Sequence, residues 1–169
     1  MVRVDQDMGG VIVEKSFLPD FFGCVRKDPR LARAVERLCS EEMETVSYCL
    51  WCEALLGEED GATAALLETL VREAAYRFRF LGRLLLALGG DLSLRGQIRL
   101  QRRETGSDAD PLPQSILYGC LLRMRRLGAA YRSVIEGSLA VKDGVVRSAL
   151  SCLLEDFEEI EERLSGFFG

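Results

Sequence analysis

The chain has 169 residues, 48% of them hydrophobic and 29% charged, with a net charge of −5, six cysteines and no histidine. That composition supports one domain with a sizeable core and argues against disorder. No apolar run reaches the roughly 18 residues of a membrane span, and no basic start precedes an apolar stretch, so a cytoplasmic protein without signal peptide or membrane contact is expected.

Residues 1–29 show no helical repeat, and "SFLPDFFG" at 16–23 is their most apolar piece. They are expected to form an N-terminal extension that packs on the body of the protein or on a partner. From residue 30 to 169 the pattern is helical. Four segments repeat apolar residues at spacings of three and four.

The first stripe predicts Leu31, Ala34, Leu38, Glu41, Thr45, Tyr48, Cys52 and Leu55 on one face, with Glu41 as the polar intruder. The second runs Leu67, Leu70, Ala74, Arg77, Leu81, Leu84 and Leu88, with Arg77 as its intruder. It ends at Gly89 and Gly90, a pair suited to a helix C-terminus. After "DPLPQ", whose prolines suit a helix start, the third runs Leu117, Cys120, Met124, Leu127, Tyr131 and Val134. The fourth takes Val146, Ala149 or Leu150, Leu153, Phe157, Ile160, Leu164 and Phe167, and its six acids from Glu155 to Glu162 fall off that stripe as a solvent face.

The connections are short at "GEED", long over 89–114 and short again at "VKDG". That order predicts an all-α fold, a four-helix bundle made of two antiparallel hairpins joined by one long crossover, which is the ferritin-like arrangement.

Four phrases carry a more specific likeness: "SEEMETVSY" at 40–48, "LGRLLLALGGDL" at 81–92, "AAYRSVI" at 129–135 and "KDGVVRSALSCLLEDFEEI" at 142–160. With them the chain resembles the ferritin-like superfamily, in particular its rubrerythrin-like and bacterioferritin-like bacterial branches. The resemblance covers roughly residues 30 to 168, and it implies a bundle whose interior holds two iron or manganese ions. In that family each of two helices gives a glutamate and each of the other two an ExxH pair.

Carried over position by position, the ligands fall on Glu41, Ala74, Arg77, Met124, Phe157 and Ile160. Only Glu41 could bind such an ion, because hard or borderline divalent metals need carboxylate and imidazole donors. The resemblance therefore implies a family fold with a degenerate metal site and no cofactor. A lone inward carboxylate needs a partner, and Arg77, on the neighbouring stripe, supplies charge and donors. An interior Glu41–Arg77 ion pair is expected, with Tyr48 and Tyr131 completing its hydrogen bonds. The alternative is that both side chains reach solvent.

The cysteines are expected to be reduced, since a chain of this size needs no disulfide staples. "CLWC" at 49–52 lies within a helical pattern, with no strand before it as a thioredoxin-type motif requires. Cys52 and Cys120 share the inward stripes, which makes them either small core residues or a thiol site for zinc or copper(I). The acids at 153–164 and the separate basic runs at 95–104 and 123–126 form no continuous basic stripe, so no nucleic-acid partner is expected.

The functional expectation is a non-catalytic structural or interaction protein, a homodimer or the partner of another protein. The alternative is an oxidoreductase or metal-binding protein of the same family, with iron or manganese in an altered carboxylate site or a metal on the cysteines.

Overall fold

The structure, a computed structural model, describes residues 18–56, 61–91, 113–137 and 144–168. A short helix α1 (Leu18–Gly23) precedes four long ones: α2 (Pro29–Leu56), α3 (Gly61–Ala87), α4 (Pro113–Glu136) and α5 (Gly144–Ser165). The four long helices pack pairwise, α2 on α3, α4 on α5 and α2 on α4, as a helical bundle.

Local sequence explains where α2 begins and α3 ends. Asp28 is the N-cap of α2, its Oδ1 accepting from the backbone N–H of Arg30 at 2.9 Å and of Leu31 at 3.1 Å, and Pro29 takes the first helical position. At the end of α3, Gly89 adopts a left-handed φ of 81°, its N–H donates to Leu86, and the Gly90 N–H reaches back to Leu85. That is a Schellman C-cap. A Cβ on Gly90 would displace the Leu85 side chain and crowd Ala32 of α2, so glycine is favoured at both positions for different reasons.

The Asp28 N–H also donates to the Leu88 carbonyl at 3.2 Å, which joins the start of α2 to the end of α3 and makes the two antiparallel. Contacts between α2 and α4 run in opposite chain order, from Glu41 with Arg126, through Glu44 with Arg123, to Tyr48 against Gly119. Those between α4 and α5 do the same, with Arg132 meeting Glu158 and Arg125 meeting Glu161. Helices α3 and α4 therefore point the same way. The end of α3 and the start of α4 lie at opposite ends of the bundle. The connections at 57–60, 92–112 and 138–143 fall outside the described residues, as do residues 1–17 of the expected extension. From that extension, Phe21 and Phe22 pack on Phe80 of α3, with ring centroids 5.8 and 5.5 Å away.

Leucines from all four long helices make the core, among them Leu38, Leu67, Leu70, Leu84, Leu127, Leu150 and Leu164, each essentially inaccessible to water. Burying each such side chain contributes about 1.5–3 kcal/mol.

The α3 stripe is buried as expected, and α4 and α5 deviate only at their ends: Ile135 is buried where Val134 was expected, and Phe167, beyond the end of α5, is 53% exposed. The α2 stripe needs correction. Its buried residues are Leu31, Ala32, Val35, Leu38, Cys39, Glu42, Thr45, Cys49 and Cys52, while Ala34, Glu41 and Tyr48 are half-buried and Leu55 is exposed. Leu31 can step by three or by four and still meet Leu38, so the helical period alone leaves the phase open. The neighbours choose the four-residue step. Consecutive residues are about 100° apart on a helix, so this choice exchanges Glu41 for Glu42.

Candidate functional site

The most distinctive feature of the interior is a set of polar side chains contributed by α2, α3 and α4. Glu42, Arg77 and Tyr131 are 0%, 1% and 0% exposed, a rare condition for two charged groups. The Arg77 Nε donates to Glu42 Oε1 at 2.7 Å, and the Tyr131 hydroxyl donates to the same oxygen at 2.8 Å. The guanidinium lies over the Phe157 ring, 4.0 Å from its centroid, and the Tyr131 ring stands 5.3 Å from that of Phe157. A cation on an aromatic face gains electrostatic attraction that strengthens when water is excluded. Phe157 thus supplies from α5 part of the compensation that no carboxylate there provides.

The expected Glu41–Arg77 pair is corrected by one residue. Arg77 meets Glu42, whereas Glu41 faces Arg126 at 3.4 Å on the outside of the bundle, where Arg126 is 74% exposed. The helix phase decides this, since a side chain one residue earlier on α2 points toward α4's outer edge. Of the expected hydrogen-bonding tyrosines, Tyr131 joins the cluster and Tyr48 does not. Ala74, Met124, Phe157 and Ile160, the other positions singled out by the resemblance, are all buried, and Phe157 touches the cluster directly.

Burial raises the Glu42 carboxyl above the ordinary range, and the charge of Arg77 with the two hydrogen bonds pulls it part of the way back. Tyr131 is pushed well above the usual phenol range, first by burial and then by Glu42, so it remains a donor. Cys39, one turn before Glu42 on α2, is pushed up to about 12 by burial and the glutamate charge and stays a thiol. Glu42 Oε2 and both Arg77 Nη atoms have no hydrogen-bond partner among the described residues. The arrangement holds its polar groups away from bulk solvent; it offers one carboxylate, whose Oε1 already accepts from two donors.

A separate thiol group lies further along α2. Cys52 on α2 and Cys120 on α4 are buried in the core, and so is Cys49, which the first stripe omitted. All six cysteines are free, with Cys39, Cys49, Cys52 and Cys120 buried. Among the described residues no set of three or more Cys, Asp or Glu side chains is placed to hold a metal ion.

Sequence reasoning missed Glu42, although a signal for it existed. On the four-step phase Val35 and Cys49 replace Ala34 and Tyr48, a more apolar face that carries Glu42 inward. Among the described residues no helix is long and apolar enough to cross a membrane. Comparison with family models, curated proteins and solved structures finds no match.

Proposed function

We propose that this chain is a ferritin-like bundle of the rubrerythrin-like or bacterioferritin-like kind in which a Glu–Arg–Tyr cluster stands where such proteins hold two metal ions. On this reading it is a non-catalytic structural or interaction protein of the cytoplasm, acting as a homodimer or with another protein. The observation that carries the proposal is the buried Arg77 guanidinium, 2.7 Å from Glu42 in the bundle interior. A fixed positive charge there repels a divalent cation and supplies the carboxylate with the partner a metal would otherwise be. The residues around it fit the same reading, since Ala74, Met124, Phe157 and Ile160 fill the space with groups that do not ligate iron or manganese. The directions of the helices, with α3 and α4 parallel, agree with a two-hairpin ferritin-like order.

Elemental analysis tests the proposal. Untagged protein from cells supplied with iron and manganese should carry less than about 0.1 of either ion per chain, because a site without carboxylate and imidazole donors has no useful affinity for them. One or two iron or manganese ions per chain, lost in Glu42→Gln, would overturn it and favour the altered carboxylate site of an oxidoreductase. Sedimentation of the purified chain tests the dimer: a monomer at micromolar concentration overturns that part.

A further inference from the structure

Four of the nine exposed large apolar side chains among the described residues, Tyr118, Leu122, Phe167 and Phe168, lie at one end of the α4–α5 pair, whereas the other five are spread over α2, α3 and the start of α5. The Tyr118 and Phe168 rings meet edge to face with centroids 6.0 Å apart. With Leu121, Arg125 and Ser165 they line a shallow groove of about 290 Å³. Leu122 stands one turn beyond Tyr118 on α4. An exposed apolar cluster of this kind, rimmed by polar residues, marks an interaction surface. Away from that end the charges divide by helix. On α4 stand Arg123, Arg125, Arg126 and Arg132 with one acid, Glu136, while α5 carries six acids from Glu155 to Glu162 against two arginines. Arg125 meets Glu161 at 2.9 Å and Arg132 meets Glu158 at 3.6 Å across the seam. A basic row and an acidic row therefore run side by side, on the face that carries the groove.

We propose that this face joins two copies of the chain about a two-fold axis parallel to α4 and α5. The inference rests on the homodimer reading above and names its surface. A two-fold interface uses the same patch on both copies, so the patch must complement itself. An axis along the helices lays α4 of each copy over α5 of the other at the same height. Arginines then face glutamates, and the aromatic ends meet. Within one copy Tyr118 lies level with Phe168 and Arg125 with Glu161, so Leu122 of one copy arrives over Ser165 and Phe168 of the other, at the groove. An axis across the helices would lay α4 on α4 and set arginine against arginine, which like charges oppose. The division of charge therefore selects both the occupant and the orientation. The size fits as well. Helices of 24 and 22 residues, at about 1.5 Å per residue and about 10 Å wide each, present on the order of 700 Å². A stable standard interface takes roughly 800 Å² from each partner.

Sedimentation equilibrium of the full chain and its variants tests the face. Leu122→Asp, an exposed position, should raise the dimer Kd more than about 100-fold, as expected for a charge buried at the centre of an interface. Leu86→Asp, on α3 and 64% exposed, should leave the Kd unchanged. The orientation is tested with the chain Arg125→Glu/Arg132→Glu/Glu158→Arg/Glu161→Arg, which keeps both pairs within a copy and exchanges the two rows. It should dimerise with itself about as well as wild type does. Mixed with isotope-labelled wild type and followed by native mass spectrometry, it should give less than about a tenth of the statistical share of mixed dimers, because each of its rows then meets its own sign. Circular dichroism establishes that each variant is folded, and Tyr118→Asp replaces Leu122→Asp if that one is not. A folded Leu122→Asp that dimerises as wild type does, or a Leu86→Asp that does not dimerise, overturns the face and leaves the homodimer reading standing. Mixed dimers at or above the statistical share, or a folded exchanged chain that stays monomeric, overturn the orientation. A monomeric wild type overturns the homodimer reading and this inference together.

Discussion

Glu41 and Glu42 are adjacent in sequence and each meets an arginine, yet they sit in different physical worlds. Glu41 and Arg126 are 30% and 74% exposed and 3.4 Å apart, so water and salt screen them and the pair contributes little. Glu42 and Arg77 are 0% and 1% exposed and 2.7 Å apart. There, desolvation and attraction are both large and nearly offset, and the loss of either partner is what matters. The comparison separates the worth of a pair from the penalty for breaking it.

The largest effect should come from breaking the inner pair. Arg77→Ala should destabilise the fold by about 3–5 kcal/mol, since it strands a buried carboxyl and removes a large buried side chain, measured by urea unfolding. Replacing both partners, as Glu42→Leu with Arg77→Met, should restore stability to within about 1 kcal/mol of wild type or exceed it. If the double variant is as damaged as the single one, the inner pair is strongly stabilising in its own right. Tyr131→Phe comes next, expected to cost about 1.5–2 kcal/mol through loss of a hydrogen bond to a charged group.

The pH dependence sharpens the contrast further. Glu42 has a folded-state pKa raised above the ordinary 4.5, so its stabilising contribution is complete below that value and is lost as pH rises through the raised one. Unfolding of wild type and Glu42→Gln across this range should show the wild type losing ground to the variant as pH increases. A difference that grows in the other direction would mean that Arg77 and Tyr131 outweigh burial. The smallest effect belongs to the outer pair: Glu41→Gln should change stability by less than about 0.5 kcal/mol, and high salt should erase even that.

Much of the bundle was legible in the sequence because three of its helices carry unambiguous stripes. On α3 no alternative phase places as many leucines inward, so Arg77 was read as buried and is buried. The Gly89–Gly90 stop was legible for a local reason, since a left-handed residue and a crowded Cα each favour glycine there. On α2 the two phases share Leu31, Leu38, Thr45 and Cys52, and the residues that distinguish them differ only modestly in hydropathy. The partner of Arg77 was therefore assigned one residue early, and Cys49 was left off the inward face. Tyr131 was placed correctly because its own helix fixed it, while the shifted phase puts Tyr48 against Gly119 and under Arg123 on α4.

By itself, then, the sequence determined the all-helical character of the chain, most of its core face and the presence of a charged intruder on α3, because these follow from local periodicity and capping. Only the tertiary structure decided that Glu42 receives Arg77 and Tyr131, and that Phe157 covers the guanidinium. Those pairings depend on the rotation of one helix against its neighbours, and a rotation of one residue in a two-phase stripe is set by packing across the core.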